Sequence, residues 1–235
     1  MKPVAILRFS PSEGPAYFAD WLDRNAVDWR LIAVDGAADV PVDPLEYSGI
    51  AMMGGPMSVT DPLPWIETLS SLLRNAVARR VPVIGHCLGG QLLAQALGAR
   101  VRRTATPEIG WVDVEVSDAA SARDWFGGRL RFNAFQWHYE IFDLPAGATC
   151  VLTNAFNPDQ AYVVDGIHLG LQCHVEMTPG LVEAWCDNAA AEIASPAPPA
   201  LQSRGEIMGD LSGRIGALQS VADDVYARWS LALRH

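Results

Sequence analysis

The sequence predicts an α/β fold built on a doubly wound, mostly parallel sheet. Short apolar, β-branched runs alternate with segments whose apolar residues recur at helical spacing, which is the pattern of βαβ units. Three motifs of small and polar residues each follow such a run, at the strand ends where parallel sheets carry their functional loops. The length of 235 residues, half of them hydrophobic, suits one α/β domain with an appendage, or two small domains.

The first third of the chain supplies the alternation of strand and helix. Each predicted strand is an apolar run, and each predicted helix follows a Pro-containing start signal. In order, the predicted elements are a strand at 4–9, a helix that begins near 12–15, a strand at 29–34, a loop at 35–43, a strand at 49–53 and a helix that begins near 61–64.

The stretch from Val81 to Gln91 combines a buried strand with the start of a helix. Its centre, Gly85-His86-Cys87-Leu88-Gly89, has the pattern of a nucleophile elbow with Cys in the place of Ser. Glycines suit such a sharp turn because Cβ atoms on either side would clash. A helix N-terminus at Cys87 also favours the thiolate. The alternative is a buried structural cysteine in an ordinary βα turn.

A second motif, Gly170 to Glu176, follows the last predicted parallel strand at 167–173 and precedes a predicted helix at 180–193. A nucleophilic cysteine needs a base, and the base needs a group that orients it. His174 and Glu176 stand at i and i+2 at the strand end, so their side chains leave on one side. Taken alone, such a pair is more often a surface salt bridge. Combined with the elbow, it predicts a catalytic pair.

The pattern changes between residues 100 and 165. The stretch 112–116 alternates as an antiparallel strand does, and the short apolar runs that follow are separated by Gly, Pro and Asn. We therefore expect an antiparallel insertion that covers one edge of the sheet. Its further strands are predicted near 130–135, 149–153 and 161–164.

The carboxy-terminal part is predicted to be an appendage. Residues 195–200, rich in Pro and Ala, are typical of a semi-rigid linker. The predicted division is therefore a domain at 1–194, followed at 195–235 by the linker and C-terminal helices. Apolar residues at nearly four-residue spacing between Ile207 and Trp229 predict an amphipathic helix pair. This helix pair either packs on its own domain or docks to a partner or to a second copy of the chain. The sequence therefore does not decide whether the protein forms a homo-oligomer.

Composition excludes several classes of function. The net charge of −10 leaves no basic surface for nucleic acid or an anionic membrane, and no apolar run approaches the roughly 18 residues of a membrane span. The four cysteines, Cys87, Cys150, Cys173 and Cys186, lack metal-finger spacing. Since the N-terminal apolar run is too short for a signal peptide, we expect reduced thiols and a cytoplasmic location.

Three motifs together resemble the class I (triad) glutamine amidotransferases. They are Gly54-Gly55-Pro56-Met57-Ser58, Gly85–Gln91 and His174-Val175-Glu176, in the order that the family has them. The resemblance runs from about Val4 to about Ala190. It is nearest to the stand-alone domains that are similar to the amidotransferase half of GMP synthase. It implies a flavodoxin-like sheet and a glutamine substrate, and its chemistry needs neither a metal nor an organic cofactor.

The resemblance assigns roles to the motif residues. Cys87 would attack the side-chain amide carbon of glutamine, His174 would carry the proton, and Glu176 would fix the imidazole tautomer. Backbone N–H groups of Leu88 and Gly55 would form the oxyanion hole, where one donor is typically worth about 3–4 kcal/mol. The alternative for the Gly-Gly-Pro stretch is a plain tight turn.

Three further residues are expected to contact the substrate. Gln91 lies one helical turn beyond Cys87 and matches a family residue that meets the polar end of glutamine, although it could instead be an exposed helix residue. Trp137 and Tyr139 lie in a stretch, 135–139, that resembles the family's loop whose backbone holds the α-amino and carboxyl groups of the substrate.

The remaining histidines receive no catalytic role. His138 lacks a carboxylate partner in an ordered spacing, so it is not the predicted base, and His86 and His168 are expected to be structural. The family usually ends the last strand in Gln-Phe-His-Pro-Glu. Here Cys173 and a valine replace the Phe and the Pro, which leaves the triad atoms intact but adds a second thiol near the site.

Three functions fit these residues. The first is hydrolysis of the glutamine side-chain amide through a γ-glutamyl thioester, releasing ammonia and glutamate. The chain has no room for an acceptor domain and shows no P-loop. If the ammonia is transferred to an acceptor, we therefore expect that acceptor on a separate synthetase subunit. The second is a γ-glutamyl peptidase or amidase that acts on a larger γ-glutamyl compound, which the size of the pocket near Gly55 and Gln91 would distinguish. The third is a regulatory, partner-binding module without turnover.

Overall fold

The structure, a computed structural model, describes residues 2–34, 40–119, 121–194 and 200–234. Most of the loop predicted at 35–43 and of the linker predicted at 195–200 therefore lies outside the described residues. The strands are β1 (Val4–Arg8), β2 (Trp29–Ala33), β3 (Gly49–Met52), β4 (Val83–His86), β5 (Val101–Val116), β6 (Arg131–Phe142), β7 (Thr149–Thr153), β8 (Ala161–Val164) and β9 (His168–Leu171). The helices are α1 (Ala16–Arg24), α2 (Trp65–Ala78), α3 (Leu88–Ala96), α4 (Ala122–Trp125), α5 (Pro179–Asn188), α6 (Arg204–Met208) and α7 (Leu211–Ser230).

The nine strands found among the described residues form one sheet, in the order β2-β1-β3-β4-β9-β8-β7-β5-β6. The first five in this order run parallel, and the others are joined by antiparallel pairs. β3, β4 and β9 are buried along their whole length, which is why none of them alternates between apolar and polar residues. The predicted α/β fold with a mostly parallel sheet is confirmed.

The sheet separates two apolar cores. Phe18 of α1, Trp185 of α5 and Trp229 of α7 belong to the core on one face. Leu69 of α2 and Leu92 of α3 belong to the core on the other face. Because helices cover both faces, the strand ends are the open part of the domain, and the three motifs lie there.

The antiparallel strands extend the sheet rather than cover its edge, since β8 pairs with β9. β5 and β6 are also longer than predicted, with 16 and 12 residues. The stretch 135–139, expected to be a loop, lies inside β6. Its strand character was hidden because the partner strand contains Pro107 and Gly110 and shifts register between Arg103 and Glu108.

The carboxy-terminal helices differ from the predicted pair. α6 is a five-residue helix with a capping box between Ser203 and Glu206, and α7 continues without a break to Ser230. The break lies at Gly209 and Asp210, where Asp210 adopts a left-handed conformation with φ +47°. α7 packs on its own domain through Tyr226 and Trp229. None of the described helices is both long enough and apolar enough to cross a membrane.

Candidate active site

The turn after β4 places Cys87 at the start of α3 in a conformation that L residues rarely adopt, with φ +49° and ψ −108°. A Cβ at Gly89 would lie 2.6 Å from the Cβ of Met52, and one at Gly90 would lie 2.5 Å from Leu171 O. A Cβ at Gly85 would collide with the backbone of Gly89. These contacts confirm why the elbow requires glycines on either side of the cysteine.

His174 and Glu176 follow β9 and form a buried pair. The Nδ1 atom of His174 lies 2.6 Å from Glu176 Oε1, and the two side chains are 1% and 3% exposed. The His174 N–H donates to Phe135 O at 2.9 Å, which ties the segment to β6. The indole of Trp185 packs edge-on against the imidazole, with ring centroids 4.9 Å apart. The histidine is therefore held from its backbone, its ring face and its Nδ1 atom.

Neighbouring charges shift the pKa values of His174 and Glu176 in opposite directions. Burial lowers the pKa of His174, but the charges of Glu176 and Cys87 and the hydrogen bond to Glu176 raise it well above its usual range. Burial raises the pKa of Glu176, yet the charges of His174 and His86 outweigh it and hold the pKa below its usual range. The arrangement thus favours an imidazolium between the Cys87 sulfur and a carboxylate.

The Cys87 sulfur has two further polar neighbours. Gln172 Nε2 donates to Sγ at 3.6 Å, and the sulfur lies 3.9 Å from Trp137 O. Gln91 Nε2 donates to Gln172 Oε1 at 3.2 Å and to Glu140 O at 2.9 Å. Gln91 is therefore a buried residue, not an exposed helix residue, and only its carbonyl oxygen is left for a ligand. The contact from Gln172 was not predicted.

The loop that contains Gly55 packs against the side chain of Leu88. Leu88 begins α3, so its N–H has no partner within the helix. A Cβ at Gly55 would lie 2.6 Å from Leu88 Cδ2, which shows how closely the loop after β3 approaches the elbow. The two residues expected to supply the oxyanion donors therefore belong to elements that pack against each other beside Cys87.

Trp137 and Tyr139 form the far wall of the site and share one partner. Trp137 Nε1 donates to Glu192 Oε1 at 3.1 Å, and the Tyr139 hydroxyl donates to the same oxygen at 2.6 Å. Burial, the hydrogen bond to Glu192 and its charge raise the pKa of Tyr139 to about 12. Tyr139 lies where the register between β5 and β6 shifts. The flanking residue pairs are Arg103 with Glu140 and Glu108 with His138, and the pairing of the two strands is interrupted between them.

His86 has a closer connection to the site than a purely structural residue would have. Its Nδ1 donates to Met52 O at 3.3 Å, and its Nε2 accepts from the Tyr226 hydroxyl at 3.2 Å. Burial lowers the pKa of His86, which keeps the ring neutral and fits this tautomer. The same Nε2 lies 4.0 Å from Glu176 Oε2. α7 is thereby linked through His86 to the back of the triad.

His138 has a carboxylate partner, and the expectation that it lacks one was wrong. His138 Nε2 lies 3.3 Å from the buried carboxylate of Glu108. This partner precedes it by 30 positions and meets it across the β5–β6 pairing, so no local spacing shows it. Glu108 in turn accepts from Gln160 Nε2 at 2.9 Å and from two asparagines. His138 thus belongs to a polar cluster of the antiparallel sheet, whereas His174 is paired with Glu176 and its pKa is raised by the charge of Cys87.

Cys173 and His168, the other candidate groups, are buried and do not line the site. Cys173 is fully buried, and burial raises the pKa of its thiol far above the usual range, so it stays protonated. His168 Nδ1 accepts from the Val83 N–H at 3.2 Å, and burial lowers the pKa of His168 to about 4. Within the described ranges, no three potential ligands among His, Cys, Asp and Glu come together as a metal site would require.

A cleft of about 470 Å³ opens above the triad. Six of the eight predicted site residues line this cleft. The other two, Leu88 and Glu176, lie directly behind Cys87 and His174. Glu13 also lines the cleft, although the sequence assigns this residue only to a helix start. The lining residues are Ser12, Glu13, Gly55, Pro56, Met57, Ser58, Cys87, Gln91, Arg103, Trp137, His138, Tyr139, Glu140, His174, Trp185, Asn188, Ala189 and Glu192.

The fold and this site define a class of protein. Residues 22–189 match the family model described as glutamine amidotransferase class-I, and the chain belongs to this family. In three dimensions the chain is similar to a glutamine amido transferase from Methylobacillus flagellatus, with a TM-score of 0.97 and 45% identity over 100% of this chain and 96% of that one.

Two relatives by sequence are more distant. The glutamine amidotransferase-like protein YfeJ of Salmonella typhimurium is 29% identical over 192 residues, which cover 77% of this chain and 79% of that protein. A subunit of the glutamine-hydrolyzing GMP synthase of Sulfurisphaera tokodaii is 28% identical over 156 residues, which cover 64% of this chain and 80% of that protein. Membership of the family supports hydrolysis of glutamine amides in general.

Proposed function

We propose that this chain hydrolyses the side-chain amide of glutamine through a γ-glutamyl thioester on Cys87. The observation that carries the proposal is that Cys87, His174 and Gly55 line one cleft, with the buried carboxylate of Glu176 2.6 Å from His174 Nδ1. A thiol at a helix N-terminus, a histidine in the same cleft and a carboxylate that orients the histidine are the parts of nucleophilic acyl transfer.

The first half of the reaction forms the thioester. Cys87 Sγ attacks the amide carbon, and the carbonyl oxygen becomes an oxyanion that the N–H groups of Gly55 and Leu88 stabilise. His174 then donates the proton on Nε2 to the amide nitrogen as the carbon–nitrogen bond breaks. Glu176 stabilises the imidazolium throughout, and Gln172 donates to the sulfur when it carries negative charge.

The second half releases glutamate. Water attacks the thioester carbon and gives a proton to His174, and the bond from carbon to Cys87 Sγ breaks. We infer that the ammonia either leaves to solvent or passes to an acceptor on a separate synthetase subunit. The similarity to one component of a GMP synthase supports the second route, since that protein is named as one subunit of a glutamine-hydrolyzing synthase.

A second candidate substrate is a larger γ-glutamyl amide. The cleft of about 470 Å³ falls in the range of pockets that hold drug-sized ligands, which exceed one amino acid in size. The cleft reaches from Ser58 to Glu192, beyond the atoms that a glutamine side chain needs for reaction. The same triad would cleave the γ-amide of such a compound. A non-catalytic regulatory role has less support, because all three triad residues are present, with His174 paired to Glu176 and in the same cleft as Cys87.

The test is release of glutamate and ammonia from glutamine by the purified chain, compared with Cys87→Ala. The proposal predicts turnover by the wild type and a loss of at least about a thousandfold in the variant. A panel of γ-glutamyl amides measured alongside separates the two substrate classes. Equal hydrolysis by the wild type and Cys87→Ala would contradict the mechanism.

A further inference from the structure

Arg103 of β5 is the one arginine or lysine among the described residues that line the cleft. Within the described ranges its side chain has no hydrogen bond and no ion pair. The preceding residue, Arg102, is paired with Asp143 at 3.0 Å. Successive side chains of a strand point to opposite faces, which is why Arg103 lines the cleft and Arg102 does not. The cleft therefore holds a cation whose donors are free.

The carboxylates around Arg103 are engaged with other groups. Glu140 is the partner of Arg103 in the β5–β6 pairing, but its Oε2 accepts from Ser58 Oγ at 2.8 Å. Glu192 accepts from the Tyr139 hydroxyl at 2.6 Å. Burial and the interactions with Glu192 raise the pKa of Tyr139 to about 12, and the charge of Arg103 acts against this rise. Arg103 thus lies near this wall of the cleft without being neutralised by it.

A free acceptor lies at the same end of the cleft. Gln91 Nε2 donates to Glu140 O at 2.9 Å and to Gln172 Oε1 at 3.2 Å. Gln91 Oε1 has no partner among the described residues and belongs to a side chain that lines the cleft. Since Glu140 contacts Gln91 and is paired with Arg103, one acceptor and one cation lie close to the same residue of β6.

These two groups match the remote end of a γ-glutamyl group. Its α-carbon carries an ammonium, which donates to a carbonyl oxygen such as Gln91 Oε1, and a carboxylate, which a guanidinium binds through two parallel hydrogen bonds. Trp137 O lies 3.9 Å from the Cys87 sulfur. Glu140 stands three residues further along β6, about 10 Å at the usual rise of a strand. An extended γ-glutamyl group and the long side chain of Arg103 together span this distance.

We propose, on the basis of the proposed function, that Arg103 binds the α-carboxylate of the γ-glutamyl group and makes the site specific for γ-glutamyl compounds over other amides. The α-carboxylate belongs to the half of the substrate that stays on Cys87 as the thioester. Glutamine and a larger γ-glutamyl amide present it equally, so this role is independent of the leaving group. Arg103 contributes binding that is the same in the ground state and the transition state, and it takes no part in bond breaking.

The experiment measures kcat and KM of the wild type, Arg103→Met, Arg103→Lys and Arg102→Met on three primary amides. Glutamine carries both α groups, glutaramate lacks the α-amino group, and 4-aminobutanamide lacks the α-carboxylate. We expect Arg103→Met to raise KM about 10- to 100-fold on glutamine and glutaramate, with kcat changed less than about threefold. On 4-aminobutanamide kcat/KM should change less than about twofold, because the group that Arg103 binds is missing.

Arg102→Met is the matched control. It removes the same charge from the neighbouring, exposed position outside the cleft, and it should match the wild type on all three amides. Arg103→Lys keeps the charge but loses the planar pair of donors, so it should recover part of the lost affinity. Because Arg103 is exposed, its variants should unfold at the same urea concentration as the wild type.

Binding without turnover gives an independent readout. Glutamine titrated into Cys87→Ala in a calorimeter should bind about 10- to 100-fold more tightly than it binds the double variant Cys87→Ala/Arg103→Met. 4-Aminobutanamide should bind the two proteins equally. This comparison measures the contact with Arg103 whether or not the amide is hydrolysed.

The failure of one proposal can be told from the failure of the other. The role of Arg103 is overturned, and the proposed function stands, if turnover requires Cys87 but Arg103→Met leaves KM for glutamine unchanged. It is also overturned if Arg103→Met impairs 4-aminobutanamide equally, acts only on an amide with an anionic leaving group such as γ-glutamylglycine, or has the same effect as Arg102→Met. If glutamine binding depends on Arg103 but the wild type hydrolyses no more glutamine than Cys87→Ala, the proposed function fails and the role of Arg103 stands.

Discussion

Two glycines inside helices offer a stringent test of how the elbow is packed. Gly90 lies in α3, and a Cβ there would lie 2.5 Å from Leu171 O and 3.0 Å from Leu171 N, both on the neighbouring backbone. Gly216 lies in α7 and is exposed, and a Cβ there would have no atom within 4 Å. Substitution by alanine is therefore the same chemical change in two opposite environments.

The magnitudes follow from these contacts. Alanine is favoured over glycine in a helix interior by about 1 kcal/mol, and at Gly216 nothing opposes this gain. At Gly90 the new carbon must push β9 and α3 apart, and overpacking of this kind typically costs about 1–3 kcal/mol. We expect Gly216→Ala to raise the free energy of unfolding by up to about 1 kcal/mol and Gly90→Ala to lower it despite the helix propensity.

Urea unfolding followed by far-UV circular dichroism measures both variants. Because Gly90 separates the helix of Cys87 from the strand that leads to His174, Gly90→Ala should also reduce amide hydrolysis by more than about tenfold, whereas Gly216→Ala should leave it unchanged. The reasoning is refuted if Gly90→Ala is as stable as Gly216→Ala, since the backbone contact would then cost nothing.

Three further predictions concern buried polar groups. Tyr226→Phe removes the donor to His86 Nε2 and should lower the free energy of unfolding by about 1–3 kcal/mol in urea. The pKa of His168 is about 4 folded and near 6.5 unfolded, so its contribution to stability is complete above pH 6.5 and is lost as the pH falls towards 4. His168→Asn, whose side-chain oxygen can accept from Val83, should therefore lose less stability over this range. Cys173 should resist iodoacetamide in the native protein, as mass spectrometry of its peptide would show.

Each of these predictions has a contrary result. A Tyr226→Phe variant as stable as the wild type would show that the hydroxyl is not a required partner of the histidine. If the free energy of unfolding falls equally with pH in the wild type and in His168→Asn, groups other than His168 cause the loss of stability in acid. Alkylation of Cys173 at a rate like that of an exposed thiol would show that the core around it opens readily.

Local geometry explains which parts of the site the sequence predicted. Cys87 and its glycines lie within five positions of one another, and His174 and Glu176 are two positions apart, so strand and turn geometry alone brings their atoms together. Residues that meet the site from distant positions were not predicted. Glu13 approaches His174 across about 160 positions, and Tyr226 reaches His86 across 140.

The same limit explains the errors in the fold. The strand β6 was interpreted as a short run followed by a loop, because its pairing with β5 depends on a register shift that neither strand shows alone. The sequence predicts two C-terminal helices that divide between Leu218 and Val221, where the apolar spacing slips, but α7 continues through both residues. The break at Asp210 depends on a left-handed residue, which composition does not reveal.

The strained backbone conformation of Cys87 affects which substitutions at this position stabilise the fold. A non-glycine residue held at φ +49° stores about 1–3 kcal/mol, and glycine at that position would release it. Selection for stability alone would therefore replace the cysteine. If Cys87 is the nucleophile, as we propose, the strained backbone at this residue is a trade-off between stability and activity. Cys87→Gly should be more stable than Cys87→Ala, and both should be inactive.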